Sequence, residues 1–395
     1  MAEWKTVEHP MSTAALTKLL LPWIACLVWV GGFEAAVAAV PTEINFGVAS
    51  VGLGGRPFVG GSVVSVVHVK GWLEEEFKDQ GIKINWHFFK TAGPGVNEAY
   101  SNGVLDFAWQ GDLPQLIGRA SGLKVKYILG AGRRQYIYLA AKPNSSAARI
   151  EDIKGRSVAI HKGTCLQLSI ARLLAAHGLR ERDLKVYNMD GLAAASALGS
   201  GDLELAFGAF NLLALRDQGL AKVIYSGAED DGRYGCSGGF TVTEDFLARY
   251  PDITRRVVKT IVKAARWSAD PANRGELYAI WAKSGFPLEH FKEEWDSQDL
   301  KRKLSPLIDD FQINRYRVAL EDARKFGLVR GKVDFDRYFD RSYLEAALTE
   351  LGLQDFWIPE DAEGKPQSPI PHPESGARIS AVSNARGPQG PEHAP

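Results

Sequence analysis

A helix–turn–strand unit is written twice in this chain, 98 positions apart. Setting Gly103 against Gly201 pairs Ala99 with Ala197, Asn102 with Ser200, Leu105 with Leu203, Asp106 with Glu204, Phe107 with Leu205, Ala108 with Ala206 and Trp109 with Phe207. A unit used twice predicts two similar α/β lobes. Lobes that face each other make a cleft, and clefts between domains are where small ligands bind.

The rest of the mature chain fits that plan. Apolar runs near 44–49, 82–89, 105–109 and 125–130 read as strands separated by helices, including one over 62–77. A second series follows, with strands near 157–161, 185–187 and 222–225 and a helix over 165–177. Strand–helix alternation of this kind predicts a mainly parallel sheet covered on both faces in each lobe. The fold class expected is α/β and two-lobed, each lobe a mainly parallel sheet flanked by helices, with a helical C-terminal part. Lobe I takes 44–136 and 239–358, lobe II takes 137–238, and the chain crosses between them twice.

The ends read differently. Lys5 and Lys18 precede an apolar run over 19–30, and Ala36-Val37-Ala38 closes a stretch of small residues. That is the grammar of a secretory signal peptide, 1–38, cleaved after Ala38. The run is short for a membrane span of about 20 residues and holds Pro22. Trp23-Ile24-Ala25 is a poor lead-in for lipid attachment at Cys26. The mature protein is therefore expected in the periplasm. Residues 359–395, rich in Pro, Gly and Ser, are expected to be a disordered tail.

Charge excludes one class of partner. Lys plus Arg and Asp plus Glu both number 47, so no basic footprint for nucleic acid exists. Beyond the leader, Cys165 and Cys236 form either one disulfide or two thiols. No HExxH, CxxC, GxSxG or Walker sequence occurs, and no metal or cofactor is expected.

Candidate ligand residues cluster at strand ends. Asp112-Leu-Pro-Gln115 and Thr164-Cys-Leu-Gln167 both fit a capping box, each after a glycine, Gly111 or Gly163. A helix N-terminus offers free N–H groups and partial positive charge, so two such ends facing a cleft would clamp an oxyanion. Asp112 would repel an anion and is assigned to capping or to an amine on the ligand. Gly93 opens the loop before the first unit's helix, and Trp109 and Gln110 end its strand. Phe210 and Asn211 lie just past the same point in lobe II. Aromatics there would sandwich the organic part of a ligand, whereas Phe207 reads as core. In the loop 52–58, Gly54 lets backbone approach closely, and Arg56 adds a bidentate contact or stays an exposed charge. Phe58 completes that loop. Its GxGG string lacks the GxGxxG spacing of a dinucleotide site. Cys165 at a helix start, four residues after His161, leaves an enzymatic thiol as the alternative. His68 and His290 read as surface or satisfied side chains.

Three segments carry a family resemblance. They are V-N-E-A-x-x-N-G-x-x-D-F-A-x-x-G-D-x-P over 96–114, Ile153-Lys-Gly-Arg-Ser-Val-Ala-Ile-His-Lys-Gly-Thr164, and Phe246-Leu-Ala-Arg-Tyr-Pro251. The chain resembles, over about 44–351, the solute-binding components of ABC importers for aliphatic sulfonates, nitrate and taurine. The resemblance implies a two-lobed, type II periplasmic-binding-protein fold, a monomer that closes on a small anionic organic solute and docks on a membrane permease and its ATPase. It places Gly111, Asp112, Gly163, Thr164 and Cys165 at ligand positions. Two departures touch the cleft: the extra Gly-Gly-Arg-Pro-Phe segment of the first loop, and Phe207-Gly-Ala-Phe-Asn211 where many relatives have tryptophan followed by Asp-Pro. Some relatives with this fold are enzymes, a pyrimidine-precursor synthase and an aryl-sulfinate desulfinase. The synthase's cysteine-rich motif is absent here, and the desulfinase's early-loop cysteine has no counterpart over 51–61. A binding module feeding a sensor is the third option.

Export should depend on residues 1–38, and N-terminal sequencing of the exported product should begin at Ala39. A full-length cytosolic product in the native host would refute the leader.

Overall fold

The computed structural model describes residues 40–367. The expected leader, and the tail from 368 onward, lie outside the described residues. Among the described residues no helix is long and apolar enough to cross a membrane.

Chain order explains the architecture. First come β1 (Glu43–Val48), α1 (Val63–Val69), α2 (Trp72–Phe77), β2 (Lys83–Phe88), α3 (Gly93–Ser101), β3 (Phe107–Gly111), α4 (Asp112–Ala120) and β4 (Val125–Gly130). The chain then crosses and builds β5 (Tyr138–Ala141), β6 (Ser157–Ile160), α5 (Cys165–Ala176), β7 (Lys185–Asn188), α6 (Gly191–Ser200), β8 (Leu205–Gly208), α7 (Leu213–Asp217) and β9 (Lys222–Ser226). It returns as β10 (Gly238–Thr243) and ends in α8 (Glu244–Arg249), α9 (Pro251–Ser268), α10 (Arg274–Ala282), α11 (Leu288–Trp295), α12 (Leu300–Lys303), α13 (Asp310–Lys325), α14 (Phe335–Tyr338) and α15 (Ser342–Leu351).

Two five-stranded sheets result, ordered β2-β1-β3-β10-β4 and β7-β6-β8-β5-β9. Each is mixed. β1 runs parallel to β2 and β3, and β6 parallel to β7 and β8. β10 is antiparallel to β3 and β4, and β5 to β8 and β9. The odd strand is in each case the one arriving from the other lobe. It enters where the parallel strands end, Gly238 opposite Gly111 and Tyr138 opposite Gly208, and so must run the other way. The two crossing segments pair beside each other: Gln135 N–H donates to Cys236 O at 2.8 Å and Cys236 N–H to Gln135 O at 3.0 Å.

The repeat is visible in three dimensions. α3 and α6 start at Gly93 and Gly191, and β3 and β8 start at Phe107 and Leu205, with the same offset. Each helix ends on a left-handed glycine turn, Gly103 at φ 68° and Gly201 at φ 84°, which a side chain would strain. The paired acids serve one purpose. Asp106 accepts from Asn45 N–H of β1 at 2.8 Å, and Glu204 accepts from Arg156, just before β6, at 2.5 Å.

The expected single helix over 62–77 is two helices, because Gly71 takes φ 64° between α1 and α2. The start is as read, with Ser62 Oγ capping Val64 N–H. The C-terminal helices pack on sheet I, and their side chains share one core with it, among them Val258, Trp281 and Tyr316. Sheet II carries separate apolar clusters on its two faces.

The tail expectation is corrected over 359–367. Glu360 is only 3% exposed and takes an ion pair from Arg133 Nη1 at 2.8 Å, with Arg302 as a second partner. Its N–H donates to Asp309 Oδ2 at 3.0 Å. Composition marked the segment as solvated because it offers little apolar surface; a single buried carboxylate holds it instead. Breaking a buried pair from one side costs about 3 kcal/mol. Glu360→Ala should therefore lower unfolding free energy by about that amount in a urea titration, whereas truncation after Gln367 should not.

Candidate ligand site at the interlobe seam

The C-terminal ends of β2, β3, β6 and β7 feed loops that meet between the lobes. Open α/β sheets bind ligands at such ends. Here the loops touch. A Cβ built on Gly163, whose φ is 75°, would lie 2.9 Å from Pro94 Cγ. One built on Gly111 would lie 2.6 Å from Cys165 Cβ. Lys90 and Asp190 form a further ion pair across the seam at 3.5 Å.

Four helix N-termini lie at these loops, and they differ. Asp190 caps α6, its Oδ1 accepting from Leu192 and Ala193 N–H at 3.0 and 3.1 Å. α3, α4 and α5 have no side-chain cap from their N-cap residues Ala92, Gly111 and Thr164. At α4 Asp112 N–H already donates to Ser237 O at 2.8 Å and Leu113 N–H to Asp112 Oδ1 at 2.7 Å, whereas α3 and α5 leave N–H donors and the positive pole of the helix for another acceptor. Ala92 holds φ 55° without being glycine, a conformation costing about 1–3 kcal/mol, immediately before α3. Two further groups lack partners at this place: buried Trp109 Nε1 and Gln110 Oε1, at the end of β3. A Cβ built on Gly93 would sit 3.4 Å from that Gln110 oxygen, so β3 and the α3 start converge.

Neither expected capping box forms. Asp112 is the first residue of α4, and its Oδ1 accepts from the adjacent Leu113 N–H at 2.7 Å. Burial pushes its carboxyl pKa up, opposed by Arg172 and Arg315, so arginines rather than a ligand amine face it. Gln115 Nε2 donates to Gln110 O and Gly239 O, both at 3.0 Å, while Tyr316 and Tyr338 hydroxyls donate to its Oε1. Thr164 Oγ1 donates to His161 O at 2.7 Å, and Gln167 Oε1 accepts from Gly163 N–H at 2.7 Å. The pattern D/T-x-x-Q was present, but nearby carbonyls recruited the side chains.

Other candidates are placed elsewhere. The loop bearing Gly54, Arg56 and Phe58 folds onto the turn after α10: Leu53 N–H donates to Ser284 O at 2.7 Å. Arg56 is exposed with its guanidinium beside Gly285, and Phe58 packs on His68 at 5.4 Å. Phe210, expected to face a ligand, instead packs against Phe286 and Phe291 at 5.0 Å each, joining lobe II to α11. Asn211 ties its own loop, accepting from Ala209 N–H at 3.0 Å and donating to Gly191 O at 3.3 Å. Phe207 is core, 1% exposed. His290 Nε2 pairs with Asp217 at 2.7 Å, while its buried Nδ1 has no partner.

The enzymatic thiol finds no support in the geometry. The neighbouring Cys236 thiol, with burial, raises the Cys165 pKa well above the usual thiol value. An activated nucleophile needs the opposite shift.

Several seam residues escaped the sequence reading. Arg172 of α5 donates from Nε to Asp322 of α13 at 2.7 Å, joining the lobes. It lies seven residues after Cys165, on the same helix face, so helical periodicity held that signal. On the other side Tyr138 donates to Glu294 Oε2 at 3.2 Å, and burial pushes Glu294 up to about 8. Beside the seam, between the later turns of α5 and the end of α13, runs a groove of about 700 Å³ lined by Lys162, Leu179, Arg180, Arg182, Lys325 and Phe326. It is distinct from the Pro94–Gly163 contact.

Two sheets of like strand order, a doubled crossing and helix starts at the seam define a two-lobed periplasmic binding-protein fold. The chain belongs to the NMT1/THI5-like family, whose profile matches residues 66–273. It is 30% identical to a crystallised periplasmic sulfonate-binding protein of Methylobacillus flagellatus KT, with TM-score 0.68, covering 82% of this chain and 99% of that one. It is 25% identical to a Bacillus subtilis (strain 168) protein named for binding aliphatic sulfonates, covering 73% of this chain and 86% of that one. The alkanesulfonate-binding protein of Xanthomonas axonopodis pv. citri, solved bound to MOPS, shares the fold at 22% identity and TM-score 0.65, covering 77% and 100%. So does the desulfurization enzyme DSZB, at 14% identity and TM-score 0.54, covering 78% and 99%.

Gly163→Ala should destabilise the protein by about 1–2 kcal/mol through its positive φ, plus a contact part against Pro94. The double variant with Pro94→Ala should recover the contact part in a double-mutant cycle of unfolding free energies.

Proposed function

We propose that this chain is the exported substrate-binding component of an ABC importer, capturing a small anionic organic solute between its lobes. An aliphatic sulfonate is the class that the names of its relatives favour. The observation that carries the proposal is the pair of helix starts, α3 and α5, without side-chain caps at the interlobe contact. A sulfonate brings three oxygens and one negative charge. Such a group takes several backbone N–H bonds without any cationic side chain, which suits a seam lined by Gly93, Gly111, Gly163 and Thr164.

Trp109, with its buried and unpartnered indole N–H, supplies a donor and a flat apolar wall for the organic part of the solute. Gln110 orients beside it, and Cys165 closes the floor. Because these positions touch across the seam, solute enters when the lobes part and is trapped when they meet. The closed form, with Lys90–Asp190 and Arg172–Asp322 paired, is the form presented to the permease and its ATPase. Binding is non-covalent, in a periplasmic monomer.

The test is the melting temperature of the protein against sulfonates, sulfate esters, nitrate, carboxylates and amines. A true ligand at 100 times its Kd adds about 2.7 kcal/mol of stability. A shift confined to sulfonates supports the proposal. A flat response to every anion would overturn it, and turnover lost in Cys165→Ser with binding retained would point to an enzyme.

A further inference from the structure

Two thiols meet where the seam helix reaches the crossing. Cys165 is the first residue of α5 and is partly exposed; Cys236 lies on the second crossing segment and is 6% exposed. Both are free, and both pack into one apolar cluster of lobe II. A second contact fixes the same geometry. Ser169 Oγ donates to Cys236 Sγ at 3.5 Å, and Ser169 stands one turn after Cys165 on the same helix face. The Cys236 sulfur therefore lies against the first two turns of α5. On its other side Cys165 fronts Gly111 of lobe I.

We propose that Cys165 and Cys236 are a redox modification site: a dithiol that becomes a disulfide by exchange with a small disulfide such as oxidised glutathione. The Cys165 thiolate attacks one glutathione sulfur. The glutathione S–S bond breaks, and one glutathione thiolate leaves and takes up a proton. The Cys236 thiolate then attacks the Cys165 sulfur of the mixed disulfide, and the second glutathione leaves as thiol. Two protein thiols are oxidised, and one glutathione disulfide is reduced to two thiols.

The product ties the start of α5 to the strand on which the lobes pivot. It turns the Cys165 sulfur away from Gly111 and changes the surface on which the lobes meet. The raised thiol pKa slows the first step at neutral pH, so oxidation accelerates as pH rises. Bond formation does not rest on the transport function proposed above; its effect on solute capture does.

The experiment equilibrates the full chain in glutathione buffers from fully reduced to fully oxidised at pH 8. Remaining thiols are alkylated, and digested peptides are mapped by mass spectrometry, which separates Cys26 from the pair. The expected result is a linked peptide joining Cys165 to Cys236, lost with dithiothreitol and absent in Cys236→Ser. That variant should instead hold glutathione on Cys165. The oxidised protein should melt a few degrees above the reduced one, since the bond constrains the unfolded chain. Full alkylation of both cysteines in the most oxidising buffer, or pairing only between copies, overturns the proposal. If the linked peptide forms while no sulfonate shifts the melting curve in either redox state, the transport proposal fails and the thiol pair stands.

Discussion

The chain must pass between its lobes twice, and the two passages are hydrogen-bonded to each other at Gln135 and Cys236. That antiparallel pair sets almost everything downstream. Each passage delivers one strand into a sheet from the end where the parallel strands finish. The finishing ends of both sheets must then face the same seam, and every helix that follows such a strand starts there. A soft two-stranded connection also gives the lobes an axis about which to move with few bonds to rearrange.

At the seam the helix starts are treated unequally. α6 satisfies its own N–H groups with Asp190, which also meets Lys90 from the other lobe. α3 and α5 keep theirs unclaimed by side-chain caps, beside an unpartnered indole and amide oxygen. The capped end serves the contact between lobes, and the uncapped ends serve whatever lies between them. Asp112, buried near Arg172 and Arg315, belongs to the framework behind that surface.

The repeat was legible because its signals are local. A glycine at a left-handed turn and a buried strand after it need no knowledge of the other lobe, and Gly103 and Gly201 hold their places. The strand alternation of the sheets was legible for the same reason. The direction of β10 was not, since it depends on where the chain re-enters rather than on its own residues. Side-chain roles at the seam were partly legible. Gly111 meets Cys165 and Gly163 meets Pro94, but Phe210 found partners in Phe286 and Phe291, far along the chain. Gln115 and Gln167 showed the capping spacing yet bonded to carbonyl and amide groups that only tertiary structure brings near. Glu360 misled because burial of one charge leaves no trace in composition.

The Arg133–Glu360 pair spans 227 positions, and Arg133 stands just before the first passage between lobes. A ribosome that has finished both sheets has therefore made neither carboxylate, Asp309 or Glu360, that pairs with this buried guanidinium. Asp309 comes first and balances Arg133, and Glu360 follows with a charge it shares with Arg302. Contacts of such long sequence separation form late. The nascent chain thus carries an unfinished pivot for most of its synthesis, which delays compaction. The counter-charges, made last, thereby time the closing of the pivot.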